Sequence, residues 1–508
     1  MSDDLQPPPI KASARQTNFT GDVFKLVSGT MLAQGLLVLA SPILTRLYGP
    51  AAFGVFALFS SLTGIIDAVI CLRYELAIML PENDADGANL LAGSFGIATL
   101  ISSLTIPAIW LGGPALARWL NAPQIVPYLW WIPLVLFFGG IGAGHPALNA
   151  WASRTRNFKE ISITRVVGTI AVVGTQLSIG LSGFSSAGGL IEGTLVGSIL
   201  SPILLGWRIW RQDHRIFIEG ISWKGIWENL QLYRKFPFYN TFATLLNTIS
   251  WQVPSFLLAA FFSTTVVGYY ALGNQLLRVP MDLIGYSVGQ AFFSHAATAR
   301  NDGTLPAFVV NTFRRLVEYS FFPILILMVI GRELFVIVFG SQWAEAGVYT
   351  QILSVWMCFW FISSPLSGLF SILEKNEYSF GINIVVLVSR IAAIWLGAFL
   401  GSARLAIALF SLTGVLVYGY MSFWVMVMAG VSWAKLGRIL LNNLALFAPA
   451  GGLLILMQLL GFPGWVQVLA AGGLIGIYYL YRFYENDEPW SRSVKLWLRR
   501  RVPGSGKS

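Results

Sequence analysis

The segment 52–111, AFGVFALFSSLTGIIDAVICLRYELAIMLPENDADGANLLAGSFGIATLISSLTIPAIWL, decides the fold. Two apolar runs, 52–72 and 89–111, flank a short charged stretch. A membrane-spanning helix needs roughly 20 mostly apolar residues, so the segment predicts two spanning helices joined by a polar turn. The whole chain of 508 residues is 56% hydrophobic and 11% charged, whereas soluble proteins average about 25% charged residues. The sequence therefore predicts an all-α, polytopic membrane protein.

Fourteen apolar runs are long enough to span a membrane. Their approximate spans are 24–44, 52–72, 89–111, 127–150, 161–181, 188–207, 239–262, 265–290, 316–331, 347–370, 379–400, 403–428, 443–461 and 464–481. We expect two six-helix lobes followed by two additional C-terminal helices. The expected divisions are an N-terminal tail (1–23), an N-terminal lobe (24–208), a basic linker (209–238), a C-terminal lobe (239–428), the last two helices (429–481) and a basic tail (482–508).

The basic residues predict the orientation of the chain. With the N-terminus placed in the cytoplasm, only four of the 33 Lys and Arg residues fall in external loops, and three fall within spans. Cytoplasmic loops of membrane proteins carry an excess of Lys and Arg. We therefore expect both termini to be cytoplasmic. The same bias accounts for the net charge of +10 without a nucleic-acid partner. The basic linker contains an amphipathic stretch, which we expect to lie along the membrane surface.

The two expected lobes share a short sequence match. GVFAL (Gly54–Leu58) and GYYAL (Gly268–Leu272) each follow a short external turn and begin a helix, the second and the eighth. Equivalent positions in two six-helix lobes favour an internal duplication. Parallel repeats around a central binding site are common in transporters.

Several spans carry polar side chains at helical spacing. They include Asn274, Arg278 and Asp282 in the eighth span, Asn240 and Asn247 in the seventh, Asp67 in the second, Arg165 in the fifth and Arg390 in the eleventh. A charge in hydrocarbon is costly unless it faces protein or water. These faces therefore favour a hydrated, locally positive cavity between the lobes. For Arg278 and Asp282 the alternative is an internal ion pair that only fixes helix packing.

Motifs of enzymes and nucleotide-binding proteins are missing from the sequence. The three His residues lack the spacing of a metal site. The C-terminal PGSGKS lacks the first glycine of a phosphate-binding loop, because position 501 is Arg. The short external loops count against a membrane glycosyltransferase or polymerase. We therefore expect a protein that is not an enzyme and that uses no metal, cofactor or nucleotide.

Two stretches resemble a known family. LTRLYGPAAFGVFALFSSLTGIIDAVICLRYELAIMLPENDADGANLL (44–91) resembles the first two helices of bacterial polysaccharide-biosynthesis flippases. YRKFPFYNTFATLLNTISWQVPSFLLAAFFSTTVVGYYALGNQLLRVPMDLIGYSVGQAFF (233–293) resembles helices 7 and 8 of the same family. These are the O-antigen (oligosaccharide) flippases of the multidrug/oligosaccharidyl-lipid/polysaccharide (MOP) exporter superfamily. The resemblance covers about residues 20–300, and beyond that only hydropathy and helix count agree.

The resemblance implies a function as well as a fold. The fold would be of the MATE/MOP type, with two lobes around a central cavity. The cargo would be an oligosaccharide unit on undecaprenyl pyrophosphate, moved from the cytoplasmic to the periplasmic leaflet of the bacterial inner membrane for O-antigen, exopolysaccharide, capsule or lipopolysaccharide synthesis. Membrane lipids, a polysaccharide polymerase and a chain-length regulator would be partners. A cation-coupled multidrug exporter and a peptidoglycan-precursor flippase are the alternatives within the superfamily.

The resemblance also implies site residues. Arginines in the cavity of such flippases would hold the anionic headgroup, and those that fit are Arg278 first, then Arg73, Arg165 and Arg390. Asn240, Asn247 and Asn274 would line the same cavity. H⁺ and Na⁺ are alternative coupling ions, and the candidate coupling residues are Asp67, Glu192 and Asp282.

The charged stretch of the opening segment divides into two parts. Glu82, Asp84 and Asp86 are predicted to lie in a solvated cytoplasmic turn. Arg73 and Glu75 are predicted to lie at the inner end of helix 2. Since residues two apart on one helix do not face each other, we expect Arg73 and Glu75 to have different partners and to form a cytoplasmic gate.

Overall fold

The computed structural model describes residues 19–140, 144–280 and 286–485, and regular structure in these ranges is helical. The first half comprises α1 (Phe19–Leu47), α2 (Pro50–Asp67), α3 (Asp84–Trp119), α4 (Val126–Leu129), α5 (Ile132–Phe137), α6 (Pro146–Arg154), α7 (Phe158–Leu181), α8 (Ala187–Gly220) and α9 (Trp223–Leu232). The second half comprises α10 (Phe242–Phe261), α11 (Thr264–Pro280), α12 (Tyr286–Asn301), α13 (Leu305–Phe339), α14 (Ala344–Leu366), α15 (Gly368–Ile372), α16 (Asn376–Phe399), α17 (Ala403–Met428), α18 (Trp433–Leu459) and α19 (Gly464–Glu485).

The two halves are separate bundles that meet along a few helices. In the first, α7 packs between α1 and α8, and α3 packs on α5 and α8. In the second, α14 packs on α13, α11 and α17, while α10 packs on α16. Helices α18 and α19 pack on α13 and are therefore additions to the second bundle. The halves meet where α2 crosses α10 and α11 and where α1 contacts α13.

Eleven helices in the described ranges are long and apolar enough to cross a membrane. Expected spans without such a helix are 127–150, 239–262 and 265–290. The first contains α4, α5 and the start of α6, and the second contains the 20-residue α10. The third contains α11 and α12, with residues 281–285 between them outside the described structure. The all-helical membrane fold is thus confirmed, whereas the count of fourteen stays a prediction.

The expected single helix at 127–150 is wrong in the described part of that range, which contains α4, α5 and the start of α6. After α5 the backbone turns at Gly139 and Gly140, where φ is +98° and +74°. Glycine adopts such angles without a Cβ clash, whereas other residues do so rarely. Pro146 then occupies the first turn of α6, where proline is tolerated because its missing N–H has no helical partner.

The linker between the halves also differs from its expected bounds. Helix α8 continues past residue 208 to Gly220, and the amphipathic α9 follows. Ser222 caps α9 by accepting a hydrogen bond from the Gly225 amide, 3.0 Å away. Trp223 and Trp227 are exposed on α9, and the helix packs on α3. The linker therefore belongs structurally to the first half.

Candidate functional site

The second helix ends earlier than the sequence predicts. Helix α2 ends at Asp67, whereas the expected span runs to residue 72. Beyond it Leu72 (φ 48°) and Arg73 (φ 64°) adopt the left-handed conformation, which is uncommon for residues with a side chain. A 3₁₀ helix, Tyr74–Met79, follows. Arg73 is therefore not at the end of a helix but in a tight turn after it.

This turn pairs Arg73 with Glu75, because their Nη1 and Oε1 atoms are 3.3 Å apart. The expectation of different partners was wrong, since it assumed a continuous helix through both residues. Burial raises the pKa of the Glu75 carboxyl, while its own backbone amide and Arg73 oppose that rise. Arg73 Nε and Glu75 Oε2 are buried and have no hydrogen-bond partner in the described structure.

Asp67 and His145 complete this first polar cluster, which we define as Asp67, Arg73, Glu75 and His145. The Asp67 carboxylate lies against Gly140, where an added Cβ would collide with it. It interacts electrostatically with Glu75. His145 is fully buried and its ring stacks on Phe95 with centroids 4.2 Å apart. Asp67 Oδ1 and His145 Nε2 lack hydrogen-bond partners among the described residues. The cluster thus brings two carboxylates together beyond the end of α2, with His145 buried beside the adjoining turn at Gly139 and Gly140.

A second polar cluster, in the other half, surrounds Trp251 of α10. The guanidinium carbons of Arg278 and Arg390 lie 5.1 and 4.5 Å from the centroid of its ring. Arg390 Nη1 donates to the carbonyl and hydroxyl oxygens of Ser250, at 2.7 and 3.0 Å. Its Nη2 donates to the Tyr418 hydroxyl at 3.1 Å. Cations are attracted to the face of an aromatic ring, so Trp251 holds two guanidinium groups in one place.

Carboxylate partners of the second cluster are absent from the described part of the chain. Within the described ranges, no salt bridge joins Arg278 or Arg390 to an acidic residue. Asp282, the expected partner of Arg278, lies outside the described residues. Arg390 is 3% exposed and hydrogen-bonded, whereas Arg278 is half-buried. Arg278 therefore retains donors for a ligand, while Arg390 holds Trp251 and adds positive charge.

Other expected site residues do not join either cluster. Arg165 Nη1 donates to Thr30 Oγ1 at 2.6 Å and so connects α7 to α1. Asn240, Asn247 and Glu192 are exposed. Asn274 is half-buried on α11, and its Oδ1 atom is buried without a partner in the described structure.

A hydrogen bond between the halves lies at the level of the second cluster. Ser61 of α2 donates its hydroxyl to Gln252 Oε1, 3.0 Å away. Gln252 follows Trp251 in α10, and Ser61 precedes Asp67 by six residues in α2. Helix α2 therefore connects the two polar clusters.

Most hydrogen bonds between the halves in the described structure lie at one end, which we call the closed end. There the Thr45 carbonyl accepts from Gln342 Nε2 at 2.7 Å and from Trp343 Nε1 at 2.8 Å. Asn121 Nδ2 donates to the Phe262 carbonyl at 3.3 Å. These contacts join the end of α1 to the end of α13, and the end of α3 to the end of α10.

A reciprocal helix crossing accompanies these contacts. A Cβ on Gly54 would collide with the Thr264 carbonyl oxygen, and a Cβ on Gly268 would collide with the Pro50 carbonyl oxygen. Pro50 lies four residues before Gly54, and Thr264 lies four residues before Gly268. The contact is therefore the same in both directions. Gly54 and Gly268 are the glycines of the sequence match, and they let α2 and α11 cross at backbone contact.

The acidic turn is exposed at Glu82 and Asp84, and both of its aspartates have hydrogen-bond partners. Asp84 Oδ1 accepts from Arg154 Nη2 at 2.9 Å, and Asp86 Oδ1 accepts from Asn229 Nδ2 at 3.1 Å. Arg154 also donates to the Pro81 carbonyl at 2.8 Å. Both aspartates lie in the first turn of α3, where negative charge is favourable. Glu82 is exposed, as expected.

The profile of a family described as "Polysaccharide biosynthesis protein" matches residues 43–348, which include both polar clusters except Arg390 and Tyr418. The chain belongs to this family. No curated protein sequence matches this polysaccharide biosynthesis protein.

Solved structures similar to this polysaccharide biosynthesis protein are MOP-superfamily transporters. A lipid II flippase MurJ in an inward closed conformation is 12% identical, with a TM-score of 0.63 over 91% of this chain and 99% of that chain. An inward-facing multidrug resistance MATE family transporter is 15% identical, with a TM-score of 0.59 over 80% and 96%. A MOP superfamily transporter from Pyrococcus furiosus, described as having a binding pocket of reverse polarity, is 14% identical, with a TM-score of 0.51 over 80% of this chain and 95% of that chain. At these identities the likeness shows the fold alone, which is that of a multi-pass membrane protein.

Sequence reasoning missed several residues of the site in this polysaccharide biosynthesis protein. Ser250, Gln252 and Tyr418 contact cluster residues or the opposite half. None of them is charged, so none stands out in its span as Arg278 and Arg390 do. His145 was considered only as a metal ligand. The signal that could have found Ser250 and Gln252 is the group of polar residues around Trp251, NTISWQ at 247–252.

Proposed function

We propose that this polysaccharide biosynthesis protein is a flippase for oligosaccharide units carried on undecaprenyl pyrophosphate. It moves them from the cytoplasmic to the periplasmic leaflet of the inner membrane by alternating access. The observation that carries the proposal is the pair of guanidinium groups at Trp251, which has no carboxylate partner among the described residues. Arg278 is the residue that binds the pyrophosphate, and Asn274 on the same helix contacts the sugars.

An anionic cargo explains why positive charge is placed inside the membrane. A phosphate anion is expensive to bury without compensation. Guanidinium groups form charge-assisted, bidentate hydrogen bonds to phosphate oxygens, which offsets much of that cost. The polyprenyl chain stays in the bilayer while the headgroup and sugars cross through the hydrated space between the halves. A membrane potential that is negative inside favours outward movement of an anion by roughly 2.3 kcal/mol per charge per 100 mV.

In alternating access, the contacts between the halves at one end of the molecule break while contacts at the other end form. The hydrogen bonds at the closed end and the crossing of α2 with α11 support an inward-facing state, if the basic residues orient the chain as predicted. Both termini would then be cytoplasmic. A polymerase and a chain-length regulator would use the cargo on the periplasmic side.

The first polar cluster is our candidate for energy coupling. Two interacting carboxylates in one buried site share protons readily, because both cannot be ionised without mutual repulsion. Asp67 and Glu75 would exchange protons as α2 moves, and Arg73 would hold Glu75 in place. Na⁺ at the same carboxylates is the alternative.

The decisive experiment compares Arg278→Ala with Arg278→Lys in cells that lack the native gene. We expect Arg278→Ala to abolish surface polysaccharide and to accumulate lipid-linked units in the cytoplasmic leaflet. Arg278→Lys keeps the charge but not the bidentate geometry, so we expect partial export. Arg215→Ala, which removes an exposed arginine of α8, is the matched control and should export normally.

Two results would overturn the proposal. Normal surface polysaccharide in a stably expressed Arg278→Ala variant would show that the second cluster is not the headgroup site. Rescue of cells depleted of their peptidoglycan-precursor flippase, or raised drug resistance without any polysaccharide phenotype, would assign the cavity to another cargo of the superfamily.

A further inference from the structure

A second charged site lies away from both polar clusters. A cavity of about 360 Å³ opens between the beginnings of α13 and α18 and the end of α19. Its lining includes Arg314, Glu318, Lys435, Arg438, Asn443 and Arg482. Four of these six side chains are basic and one is acidic, so the cavity is strongly positive.

Arg482 and Glu318 form the back wall of the cavity. Arg482 Nη1 is 3.3 Å from Glu318 Oε1, and both side chains are 15% exposed. Arg482 Nη2 donates to Asn443 Oδ1 at 3.1 Å, and its Nε donates to the Tyr478 hydroxyl at 3.3 Å. Tyr478 in turn donates to the Glu318 carbonyl at 2.6 Å. This network fixes the wall and neutralises its one carboxylate.

The remaining three cations stand at the mouth of the cavity. Arg314, Lys435 and Arg438 are exposed, and no salt bridge joins them to any residue of the described structure. Lys435 and Arg438 are three residues apart on α18 and therefore share a face. Arg314 approaches them from α13. Three unpaired positive charges converging on one cavity form a site for an anion.

The surroundings place this site at a membrane surface. Helix α13 is 35 residues long, so it extends roughly 52 Å, longer than the ~30 Å hydrocarbon core of a bilayer. Trp433, Tyr481 and Tyr484 are exposed beside the basic residues. Exposed Trp and Tyr concentrate at the level of lipid headgroups. Leu441 and Leu444 are exposed next to Asn443, in positions to contact acyl chains.

We propose that this cavity binds the phosphate headgroup of an anionic membrane phospholipid, whose acyl chains lie along the exposed faces of α18 and α19. Basic pockets between membrane helices are suited to anionic headgroups. The adjoining aromatic and leucine side chains favour a lipid over free phosphate, because a soluble anion gains nothing from them. The bound lipid would tie α18 and α19 to α13, independently of the cargo site at Trp251.

The test uses the full-length protein in neutral detergent and native mass spectrometry with phosphatidylglycerol, phosphatidylcholine or inorganic phosphate. We expect the wild type to prefer phosphatidylglycerol. Lys435→Gln/Arg438→Gln should weaken that binding roughly 25-fold, because each basic residue at an anionic membrane surface contributes about a factor of five. Arg314→Gln, on another helix, should weaken it about fivefold.

The matched control is Arg215→Gln/Lys224→Gln, which removes two exposed charges from α8 and α9 and should leave binding unchanged. Thermal unfolding verifies that each variant is folded. Equal binding of the two phospholipids by the wild type, or an unaltered preference in both cavity variants, would refute the site. Binding of inorganic phosphate that displaces phosphatidylglycerol at similar concentration would refute the lipid as its ligand.

Discussion

The ion pair of Arg73 with Glu75 is the clearest example of a residue-level contact that hydropathy does not reveal. The residues 68–72 are apolar enough to continue a helix, and only the left-handed angles at Leu72 and Arg73 show that α2 has ended. No sequence pattern marks these angles, because neither residue favours them. The wrong prediction about this pair therefore came from the helix boundary and not from the chemistry of the residues.

The environment of Glu75 leads to a pH-dependent prediction. Its pKa is raised by burial, and Arg73 lowers it. In Arg73→Ala the carboxylate loses its partner, so we expect a stability loss of about 1–3 kcal/mol when Glu75 is ionised. A raised folded-state pKa means that the loss is small at acid pH and grows as the pH rises through that pKa. Thermal unfolding in detergent across pH measures it.

Glu75→Gln is the control for this effect. Ionisation of the buried Glu75 destabilises the wild type as the pH rises, and Glu75→Gln removes that carboxyl. The stability of Glu75→Gln relative to wild type should therefore increase with pH, whereas that of Arg73→Ala should decrease. The double variant Arg73→Ala/Glu75→Gln should lose less stability than the two single variants would together, since the pair interacts. A pH-independent defect in Arg73→Ala would show that the pair does not control Glu75. Normal export by Arg73→Ala and by Glu75→Ala would refute the proposed gate.

Individual polar residues were predictable to the extent that they interrupt apolar spans. Arg278 and Arg390 stand out in this way, and the structure places both at one ring. Their sharing of Trp251 was not predictable, because α10, α11 and α16 meet only in the tertiary fold. Arg165 stands out equally in the sequence, yet it connects α7 to α1. An arginine in a span therefore does not by itself indicate a ligand site.

At the scale of helices, long apolar runs were easy to predict and broken ones were not. All eleven qualifying helices coincide with expected spans. Of the three expected spans without such a helix, one contains the turn at Gly139 and Gly140, one contains α10, and one includes residues 281–285, which lie outside the described structure. Hydropathy treats the first of these as an ordinary span, whereas its glycines turn the backbone out of a helix. Trp251 and Arg278 of the candidate site lie on the other two.

The crossing of α2 with α11 leads to a prediction about helix contact. Gly54→Ala places a methyl group against a backbone carbonyl that cannot move independently of its helix. Overpacking of this kind typically costs 1–3 kcal/mol, so we expect roughly that loss of stability. Gly268→Ala should have a similar effect, because the contact is reciprocal. Thermal unfolding and polysaccharide export would both be measured.

Gly35→Ala in α1 is the matched control, since nothing lies near a Cβ at that position. Alanine is a better helix former than glycine by about 1 kcal/mol, so this variant should be as stable as wild type or more so. If Gly54→Ala and Gly268→Ala behave like Gly35→Ala, the two helices do not depend on close contact.

For the whole molecule, the number of spans determines which side each loop occupies. The predicted fourteen spans place Ser185 outside, Leu460 at the outer end of the thirteenth span, and Ser432 inside. All three are exposed, and both native cysteines are buried, which suits labelling of introduced cysteines. We expect an impermeant maleimide to label Ser185→Cys and Leu460→Cys in intact cells, and Ser432→Cys only after permeabilisation.

The labelling of these positions tests the three expected spans that lack a long apolar helix in the described structure. If one of those spans did not cross the membrane, every later loop would change sides. Leu460→Cys would then be protected in intact cells and Ser432→Cys would be labelled. Labelling of both, or of neither, would contradict α18 as a spanning helix.

The reciprocal glycine contact has a consequence for the origin of the chain. In a two-fold homodimer, residue i of one subunit contacts residue j of the other and j contacts i. Pro50 with Gly268 and Thr264 with Gly54 have this relation within one polypeptide. In an ancestral six-helix protein that paired with its own copy, each copy would contribute the same glycine to the crossing. A single glycine in the sequence would therefore serve both sides. Fusion of two such genes would leave each half free to acquire a polar cluster of its own, while the shared axis kept its glycines.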